Sequence, residues 1–387
     1  MRAVVCRAGE LTVEELPTPV PGRGELLLRV TRAGICGSDL HARHHCDATA
    51  DVSAEVGYDA FMRSDQAVVM GHEFAGEVVS YGPGCRKRWK PGTAVVSVPM
   101  IKHGDTAHLT GLSAQAHGAY ADFILVSEDM TMPVPEGVSV NQAALTEPMA
   151  VAYHAVRRSE IGKRDVAVVV GCGPIGLAVI AMLKAANVRT VIGSDPSDGR
   201  RVLARRVGAD IVVDPTVDSP WDRCAEKGGY ITAAGDLLGA AFAGMRTLRR
   251  IPGVPWAPVF RMADRLGATP KGPVVFECVG TPGMIEHIAS SAPFRSRIVV
   301  VGVCMEPDTF RPAMAINKEF EMRFVFAYDP AEFHHTLGMI ADGTVDVTPL
   351  ITGTVGLDGV SAAFDALGSA DQHAKVLIDP TSEVATL

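Results

Sequence analysis

The first third of the chain consists of short apolar runs that are interrupted by glycine and proline. These runs occur at 25–30, 76–80, 93–98 and 119–126. Short apolar runs that end at turn-forming residues are typical of β-strands rather than of helices. The pattern therefore predicts a small barrel-like domain at the start of the chain.

The pattern changes near residue 141. A helical segment at 142–158 leads into strands and helices that alternate as far as about residue 326. Such alternation favours a parallel, doubly wound sheet. Helical patterns at 330–341 and 357–367 follow, and the apolar run at 375–378 predicts a closing strand.

The strand at 166–170 runs directly into a glycine-rich turn that opens an apolar helix. The turn consists of Gly171, Cys172, Gly173, Pro174, Ile175 and Gly176. In this context GxGxxG favours a dinucleotide site. The first glycine makes the turn, the second lets the backbone approach a pyrophosphate, and the third lets the helix pack on the strand. The helix N-terminus adds the positive end of its dipole.

Asp195 follows the next predicted strand, at 188–194. A dinucleotide fold has a carboxylate at this place that accepts hydrogen bonds from the adenosine ribose. A 2′-phosphate would meet a like charge there, although Arg200 and Arg201 could reduce the repulsion. We therefore expect NAD rather than NADP, and the alternative is an ordinary turn carboxylate before Pro196.

Cys36, His72, Glu73 and Glu147 offer the donor atoms of a metal centre. Zn²⁺ accepts sulfur, nitrogen and oxygen ligands, and it acts in catalysis when three protein ligands leave a fourth position open. Cys36, His72 and one carboxylate would satisfy this requirement. The chain has no CxxC pair of the kind that structural zinc sites use. The mixed donor set predicts a catalytic zinc, although each residue alone could be an ordinary buried or helix-terminal side chain.

Composition narrows the function further. The 387 residues are 47% hydrophobic and 21% charged, with a net charge of -8. An acidic chain argues against a nucleic-acid partner, and no apolar run reaches the roughly 18 residues of a membrane span. The chain starts with a strand pattern at 2–7 and no signal-peptide pattern, and its eight cysteines are irregularly spaced. We therefore expect reduced thiols and a cytoplasmic protein without a membrane partner.

Taken together, these motifs resemble those of the zinc-dependent medium-chain alcohol and polyol dehydrogenases over nearly the whole chain. Residues 34–41 and 71–78 resemble the two zinc-ligand motifs of that family. Residues 144–151 resemble the segment that gives the polyol branch, which includes sorbitol, butanediol and threonine dehydrogenases, its extra carboxylate. Residues 276–280 and 298–303 resemble the strands that line the nicotinamide site.

The resemblance implies an α/β architecture with two domains. A GroES-like, β-rich catalytic domain would occupy residues 1–150 and be completed by 327–387. A Rossmann NAD-binding domain with a doubly wound parallel sheet would occupy 151–326, with an insertion at about 221–270. The active site would lie in the cleft between them.

The resemblance also implies roles for individual residues. Cys36 and His72 would be firm zinc ligands, and Glu73 and Glu147 would exchange for the remaining places. Asp39 would orient the ring of His72. The proton relay would use Ser38 and His41, which could otherwise be a turn hydroxyl and an exposed loop histidine. The cofactor contacts would be the glycine-rich turn with Asp195, Arg200, Val279, Val301, Val303 and Lys375, the last reaching the pyrophosphate.

Three departures from the family pattern limit what it implies. No cysteine lies between Trp89 and Gly118, where many relatives have a four-cysteine zinc lobe, so we expect no structural zinc. The gap between Cys36 and His72 is longer than in relatives, and we expect the excess at 43–66 to lie at the rim of the substrate cleft. Residues 326–328 read Phe-Ala-Tyr where sorbitol-type enzymes have Phe-Arg-Tyr, which weakens the case for a sugar-alcohol substrate.

The insertion at 221–270 contains apolar residues at helical spacing, followed by arginines. This pattern predicts an amphipathic helix. We expect the helix to pack on its own domain or on a partner subunit, and the alternatives are a membrane-surface helix or a docking lid.

These observations predict a dehydrogenase that acts on a secondary alcohol or small diol with NAD and yields a ketone or aldehyde. We expect a homodimer or homotetramer that binds a small-molecule alcohol or carbonyl substrate. One alternative is a zinc-free reductase of activated alkenes or quinones. The other is a non-catalytic dinucleotide-binding regulatory protein.

Overall fold

A computed structural model describes residues 1–253, 255–265, 270–368 and 373–387. Within these residues, no helix has both the length and the hydropathy that a bilayer span requires. The eight cysteines are all unpaired.

The region before residue 160 is rich in short strands. Its elements are β1 (Arg2–Arg7), β2 (Glu10–Glu15), β3 (Glu25–Gly34), α1 (Gly37–Glu55), β4 (Val68–Val69), β5 (Glu73–Tyr81), β6 (Ala94–Ser97), β7 (Met100–His103), β8 (Thr106–Leu109), β9 (Phe123–Ser127), β10 (Thr131–Pro133), α2 (Val140–Ala143) and α3 (Thr146–Ser159).

Strands and helices alternate in the middle of the chain. Its elements are β11 (Val166–Val170), α4 (Pro174–Ala185), β12 (Thr190–Ser194), α5 (Asp198–Arg206), β13 (Ile211–Val213), α6 (Pro220–Gly228), α7 (Ala234–Arg249), α8 (Trp256–Arg265), β14 (Val274–Glu277), α9 (Met284–Ser291), β15 (Arg297–Val300), α10 (Pro312–Lys318) and β16 (Glu321–Phe324). The tail contains α11 (Pro330–Ala341), β17 (Ile351–Val355), α12 (Val360–Gly368) and β18 (Lys375–Ile378).

The middle strands form a six-stranded sheet in the order β13-β12-β11-β14-β15-β16, and every neighbouring pair is parallel. Its apolar side chains alternate between two faces: Val168 belongs to one buried cluster and Val169 to another. Helix α4 packs in the second cluster and α6 in the first. Because both faces are covered, β11 is apolar throughout, and the predicted doubly wound parallel sheet is confirmed.

The N-terminal strands form a largely antiparallel assembly that the tail completes. A seven-stranded sheet runs β10-β6-β5-β3-β18-β17, with β9 also paired to β3, and a three-stranded sheet runs β2-β1-β4. Strand β18 joins β3 by pairing Leu377 with Gly34. The tail therefore returns to the first sheet, next to the end of β3 where the candidate metal ligands begin.

One predicted helix differs from the structure, and a helix that the sequence did not indicate occupies most of the excess at 43–66. The helix predicted at 142–158 is two helices, α2 and α3, with a break at 144–145. Most of the excess at 43–66 belongs to α1, which is kinked at His45. The segment after α1 packs on residues 109–112, since Tyr58 Oη accepts a hydrogen bond from Leu109 N and Met62 N donates to the carbonyl of Leu112. Its position at the cleft rim stays a prediction.

The amphipathic helix predicted in the insertion is α7, but it has no buried residue. It packs on α8, where Gly244 faces the ring of Phe260. Large apolar side chains of the hairpin remain exposed, including Leu238, Phe242 and Trp256. The apolar side chains of α7 are thus not buried within its own domain, and the predicted alternative, packing on a partner subunit, stays a prediction.

Candidate metal and cofactor site

Cys36, His72 and Glu73 converge at the end of β3 and the start of β5. Pairing of Gly34 with Glu73 in the antiparallel ladder brings the two segments together. One potential ligand atom from each of the three residues lies within 4.8 Å of the other two. Cys36 is the N-cap of α1, and its extended backbone turns the chain from β3 into that helix. The structure thus gathers three of the four predicted ligands.

Glycines make this close approach possible. A Cβ atom at Gly34 would lie 2.1 Å from Oε2 of Glu73. Gly71, which precedes His72, has a φ of +100°, and a Cβ atom there would lie 2.5 Å from the ring of Tyr120. A larger residue at Gly34 would displace the Glu73 carboxylate, and a larger residue at Gly71 would displace the Tyr120 ring or the backbone next to His72.

Asp39 lies beneath the thiol and the imidazole and is fully buried. Its Oδ2 accepts hydrogen bonds from Cys36 N at 3.0 Å and from Tyr120 Oη at 2.6 Å. Its Oδ1 lies 3.3 Å from His72 Nδ1. Burial raises the pKa of Asp39, but the charge and contacts of His72, with the other two donors, lower it overall. Asp39 is therefore a carboxylate and is placed to orient the His72 ring.

The nearby Asp39 carboxylate changes the pKa of His72. Burial lowers the pKa of His72, but Asp39 and Cys36 raise it well above its ordinary value. The thiol, imidazole and carboxylate donors suit zinc, and a carboxylate behind the second ring nitrogen is the usual support of a metal-bound histidine. These residues therefore fit a zinc ion.

Glu73 forms a buried ion pair with Lys375. The ammonium of Lys375 lies 2.6 Å and 2.8 Å from the two carboxylate oxygens and donates to the carbonyl of Ile35 at 3.0 Å. Lys375 is 3% exposed and Glu73 is 0% exposed, so this pairing is desolvated on both sides. The predicted contact of Lys375 with a pyrophosphate stays a prediction, because its ammonium is directed at Glu73 here.

Glu147 lies in the first turn of α3 and does not join the group of three ligand atoms. Burial raises its pKa to about 7, with opposing contributions from His72 and Glu73 and a hydrogen bond with Tyr328. These interactions place Glu147 beside the cluster, and its ligand role stays a prediction. Tyr328 was not singled out by the sequence; it follows Ala327, whose φ of +52° is unusual for a residue with a side chain.

Ser38 and His41 lie on the first turn of α1. Ser38 Oγ is 3.2 Å from Nε2 of His72, the ring nitrogen on the side away from Asp39. His41 follows three residues later, on the same side of the helix, and is exposed as a whole residue although part of its side chain is buried. Partial burial and His45 lower the pKa of His41. The two residues have the order that a relay toward solvent requires, although the relay itself stays a prediction.

The glycine-rich turn after β11 has the geometry that its three glycines suggested. Gly171 has a φ of +88°, and a Cβ atom there would lie 2.7 Å from Val279. A Cβ atom at Gly176 would lie 1.9 Å from the carbonyl oxygen of Gly171. At Gly173 it would meet only the Arg200 guanidinium, at 3.9 Å. The open side of the turn, where Pro174 and Ile175 begin α4, could therefore receive a pyrophosphate.

Asp195 supports this turn directly. Its Oδ2 accepts a hydrogen bond from Cys172 N at 2.8 Å, and its Oδ1 accepts one from Ser197 N at 2.8 Å. Arg200 lies 3.7 Å from the carboxylate. The guanidinium of Arg201 binds the backbone carbonyls of Asp195 and Pro196 and the carboxylate of Asp214. Asp195 therefore shapes the turn, and its contact with a ribose stays a prediction.

The remaining predicted cofactor residues lie at the carboxyl ends of the neighbouring strands. Val279 follows β14, and Val301 and Val303 follow β15. A Cβ atom at Gly280 would lie 2.6 Å from the carbonyl oxygen of Val303, so these two strand ends touch. Because β14 is the neighbour of β11, the turn and both strand ends share one edge of the sheet, which is where such folds bind ligands.

Comparison with known proteins gives matches along nearly the whole chain. Residues 22–136 match the family model of the alcohol dehydrogenase GroES-like domain. The (R,R)-butanediol dehydrogenase of Bacillus subtilis (strain 168) is 28% identical over 381 residues, covering 96% of this chain and 97% of that protein. The sorbitol dehydrogenase of Halalkalibacterium halodurans is 25% identical over 386 residues, covering 96% of each.

Solved structures agree with these matches. The crystal structure of 2R,3R-butanediol dehydrogenase from Bacillus subtilis has a TM-score of 0.74 and 27% identity, covering 98% of this chain and 99% of that one. The expected pairing of a GroES-like domain with a parallel α/β sheet is thereby confirmed.

Proposed function

Because the chain belongs to the zinc-dependent medium-chain alcohol and polyol dehydrogenase family, we propose that it transfers hydride between a secondary alcohol or small diol and NAD. The product is the corresponding ketone or aldehyde. The observation that carries this proposal is the convergence of Cys36, His72 and Glu73 within 4.8 Å. The glycine-rich turn and the adjoining strand ends supply the dinucleotide site.

Cys36 and His72 would hold one zinc ion, and Glu73 and Glu147 would exchange for the remaining places. When bound, the zinc lowers the pKa of an alcohol hydroxyl or polarises a carbonyl, and NAD carries the hydride. We propose no structural zinc, because residues 89–118 contain no cysteine. Asp195, with a single arginine beside its carboxylate, favours NAD over NADP.

The chain's own groups would handle the proton. Ser38 would accept a hydrogen bond from the substrate hydroxyl, which is supported by the distance of 3.2 Å between its Oγ and Nε2 of His72. His41 would pass the proton on to solvent, because the residue is exposed and its lowered pKa favours release of the proton. Asp39 and Tyr120 stay buried and would not exchange this proton with water.

A small diol is favoured over a sugar alcohol. Residue 327 is alanine, so the arginine that sorbitol-type enzymes have there is missing. One of the similar proteins is named for butanediol. The hydrogen-bonded pair of Glu147 and Tyr328 beside the cluster offers polar groups for a second hydroxyl.

We also propose the domain boundaries and the assembly. The catalytic domain comprises 1–150 with 327–387, which is supported by the pairing of β18 with β3. The cofactor domain comprises 151–326, which contains the whole parallel sheet. The protein forms a homodimer or homotetramer, to be tested by light scattering.

The test combines metal content, NADH binding and turnover. Protein purified without chelator should contain about one zinc per chain, bind NADH and reduce NAD with 2,3-butanediol. Cys36→Ser should lose the metal and turnover but keep NADH affinity, since the cofactor residues lie on other strands. NADH binding without zinc, even after reconstitution, would favour the zinc-free reductase or the regulatory protein.

A further inference from the structure

Tyr120 is fully buried and has two separate contacts with the candidate metal site. Its hydroxyl lies 2.6 Å from Asp39 Oδ2 and 3.3 Å from the carbonyl oxygen of Gly34. A hydroxyl has one proton to donate, and the shorter contact with the charged acceptor takes it. Its ring covers Gly71, the residue before His72, where a Cβ atom would lie 2.5 Å away.

Asp39 depends on this hydroxyl for its orientation. Within the described residues, its Oδ2 receives two hydrogen bonds, from Tyr120 Oη and Cys36 N. Its Oδ1 is buried, has no well-aligned hydrogen bond with any residue that the structure describes, and lies 3.3 Å from Nδ1 of His72. The two bonds to Oδ2 therefore set the angle at which Oδ1 meets the imidazole.

Backbone pairing holds Tyr120 against the histidine segment. Tyr120 N donates to the carbonyl of Met70 at 3.0 Å, and Ala119 N donates to that of Gly71 at 2.9 Å. The ring also packs edge-to-face on Phe364 of α12, with centroids 6.0 Å apart. Neither the ring nor the hydroxyl can shift without moving Gly71 or Asp39.

We propose that Tyr120 is a positioning residue of the metal centre, which acts through Asp39 on the ring of His72 and on the backbone of Cys36. The proposal rests on the proposed function, because it concerns the same zinc ligands. Removal of a residue that hydrogen-bonds to a metal ligand commonly lowers metal affinity by about 10–100-fold. Tyr120 is one hydrogen bond further from the proposed zinc than Asp39. Through Asp39 it constrains both Cys36 and His72.

The test is Tyr120→Phe, which keeps the ring on Gly71 and removes only the hydroxyl. Tyr81→Phe is the matched control, because Tyr81 Oη also makes hydrogen bonds at 2.7 Å and 3.0 Å, with Trp89, at the opposite end of β5 from Glu73. Zinc affinity is measured by competition with a chelator, and the ligand field by the absorption bands of the Co²⁺-substituted protein. We expect Tyr120→Phe to weaken zinc binding about tenfold and to shift the cobalt bands, and Tyr81→Phe to change neither.

A double-variant cycle separates positioning from general stability. If Tyr120 acts through Asp39, then Tyr120→Phe should change zinc affinity little further in an Asp39→Asn background. Circular dichroism of the apoproteins confirms that all variants are folded. Wild-type affinity and cobalt spectrum in Tyr120→Phe, or fully additive losses in the cycle, would overturn this inference alone. Wild-type protein that takes up neither zinc nor cobalt would overturn the proposed function and this inference with it.

Discussion

At the scale of single residues, the candidate site depends on charged side chains that are buried away from water. Glu73 and Lys375 are both almost completely buried, and each is the other's main charged partner. A desolvated ion pair contributes little net stability, but removal of one partner leaves an uncompensated charge. The pair therefore fixes where the Glu73 carboxylate lies relative to Cys36 and His72.

Lys375→Met should lower the free energy of unfolding of the apoprotein by about 3–5 kcal/mol, because Glu73 would lose its cation. Glu73→Gln/Lys375→Met should recover much of that loss, since neither charge of the buried pair remains. Urea denaturation measures both. Arg63→Met is the control, because it breaks the exposed pair with Asp51 and should change little. A loss in Lys375→Met no larger than in Arg63→Met would contradict the argument.

Asp195 supports the glycine-rich turn and is proposed to discriminate between NADH and NADPH, and two substitutions separate these roles. Asp195→Ala removes the acceptor for Cys172 N and Ser197 N, so it should weaken both NADH and NADPH. Asp195→Asn keeps one oxygen acceptor and removes the charge, so it should reduce the preference for NADH by at least several-fold. Fluorescence titration with each cofactor measures the preference. An unchanged ratio in Asp195→Asn would mean that the carboxylate supports the turn but does not discriminate at the ribose.

At the scale of elements, the sequence predicted what local patterns can carry. The uninterrupted apolar run of β11 and the glycine-rich turn predicted the central strand and the start of α4. Helix α1 has no such apolar pattern. Its buried positions have helical spacing, but they hold small or polar residues: Asp39, Ala42, Cys46 and Ala50. The sequence also contains a signal for the break before α3 that our prediction did not use. Pro148 is tolerated only in the first turn of a helix, so α3 had to begin just before Pro148.

The packing of α3 on α11 should depend on pH through Glu332. Burial raises the pKa of Glu332, but hydrogen bonds from Asp329 N, His154 and Arg157 lower it overall. The folded pKa is thus below the unfolded value of about 4.3. The stability that Glu332 contributes is therefore fully present above about pH 4.3 and is lost as the pH falls through the lower folded pKa.

In Glu332→Gln, the free energy of unfolding should therefore fall less steeply than in wild type as the pH drops from about 4.3 to the folded pKa of Glu332. Above that range the variant should be less stable than wild type. Urea denaturation at a series of pH values measures the slope. Glu136→Gln, at an exposed turn, serves as the control. A slope in Glu332→Gln equal to that of wild type would show that other carboxylates cause the acid loss.

At the scale of the whole molecule, the candidate site combines segments that are far apart in sequence. Tyr120 and Asp39 are 81 residues apart, and Lys375 and Glu73 are 302 residues apart. Sequence motifs predicted the ligands, because a motif is local and its chemistry is visible in the residue types. They could not predict these pairings, because only the antiparallel joining of β18 to β3 and the pairing of 118–120 with 69–71 create them.

The insertion is attached at the edge of the parallel sheet opposite the predicted cofactor residues. Tyr230 Oη accepts a hydrogen bond from Val166 N, the first residue of β11. Phe294 N donates to the carbonyl of Ile231, and Arg295 binds the carbonyl of Pro270, just before β15. These are amino ends of strands, whereas Gly171, Asp195 and Val279 lie at carboxyl ends.

Replacement of residues 233–268 by a short Gly-Ser linker should therefore leave zinc content, NADH affinity and turnover within about twofold of wild type, because ligands of such sheets bind at the opposite edge. The shortened chain retains Tyr230 and so keeps its contact with β11. It should also bind less of a hydrophobic dye, since the exposed side chains of Leu238, Phe242 and Trp256 are removed. Light scattering would show whether the assembly changes. A large fall in NADH affinity in a chain that keeps its assembly would mean that the hairpin reaches the cofactor edge and acts as a lid.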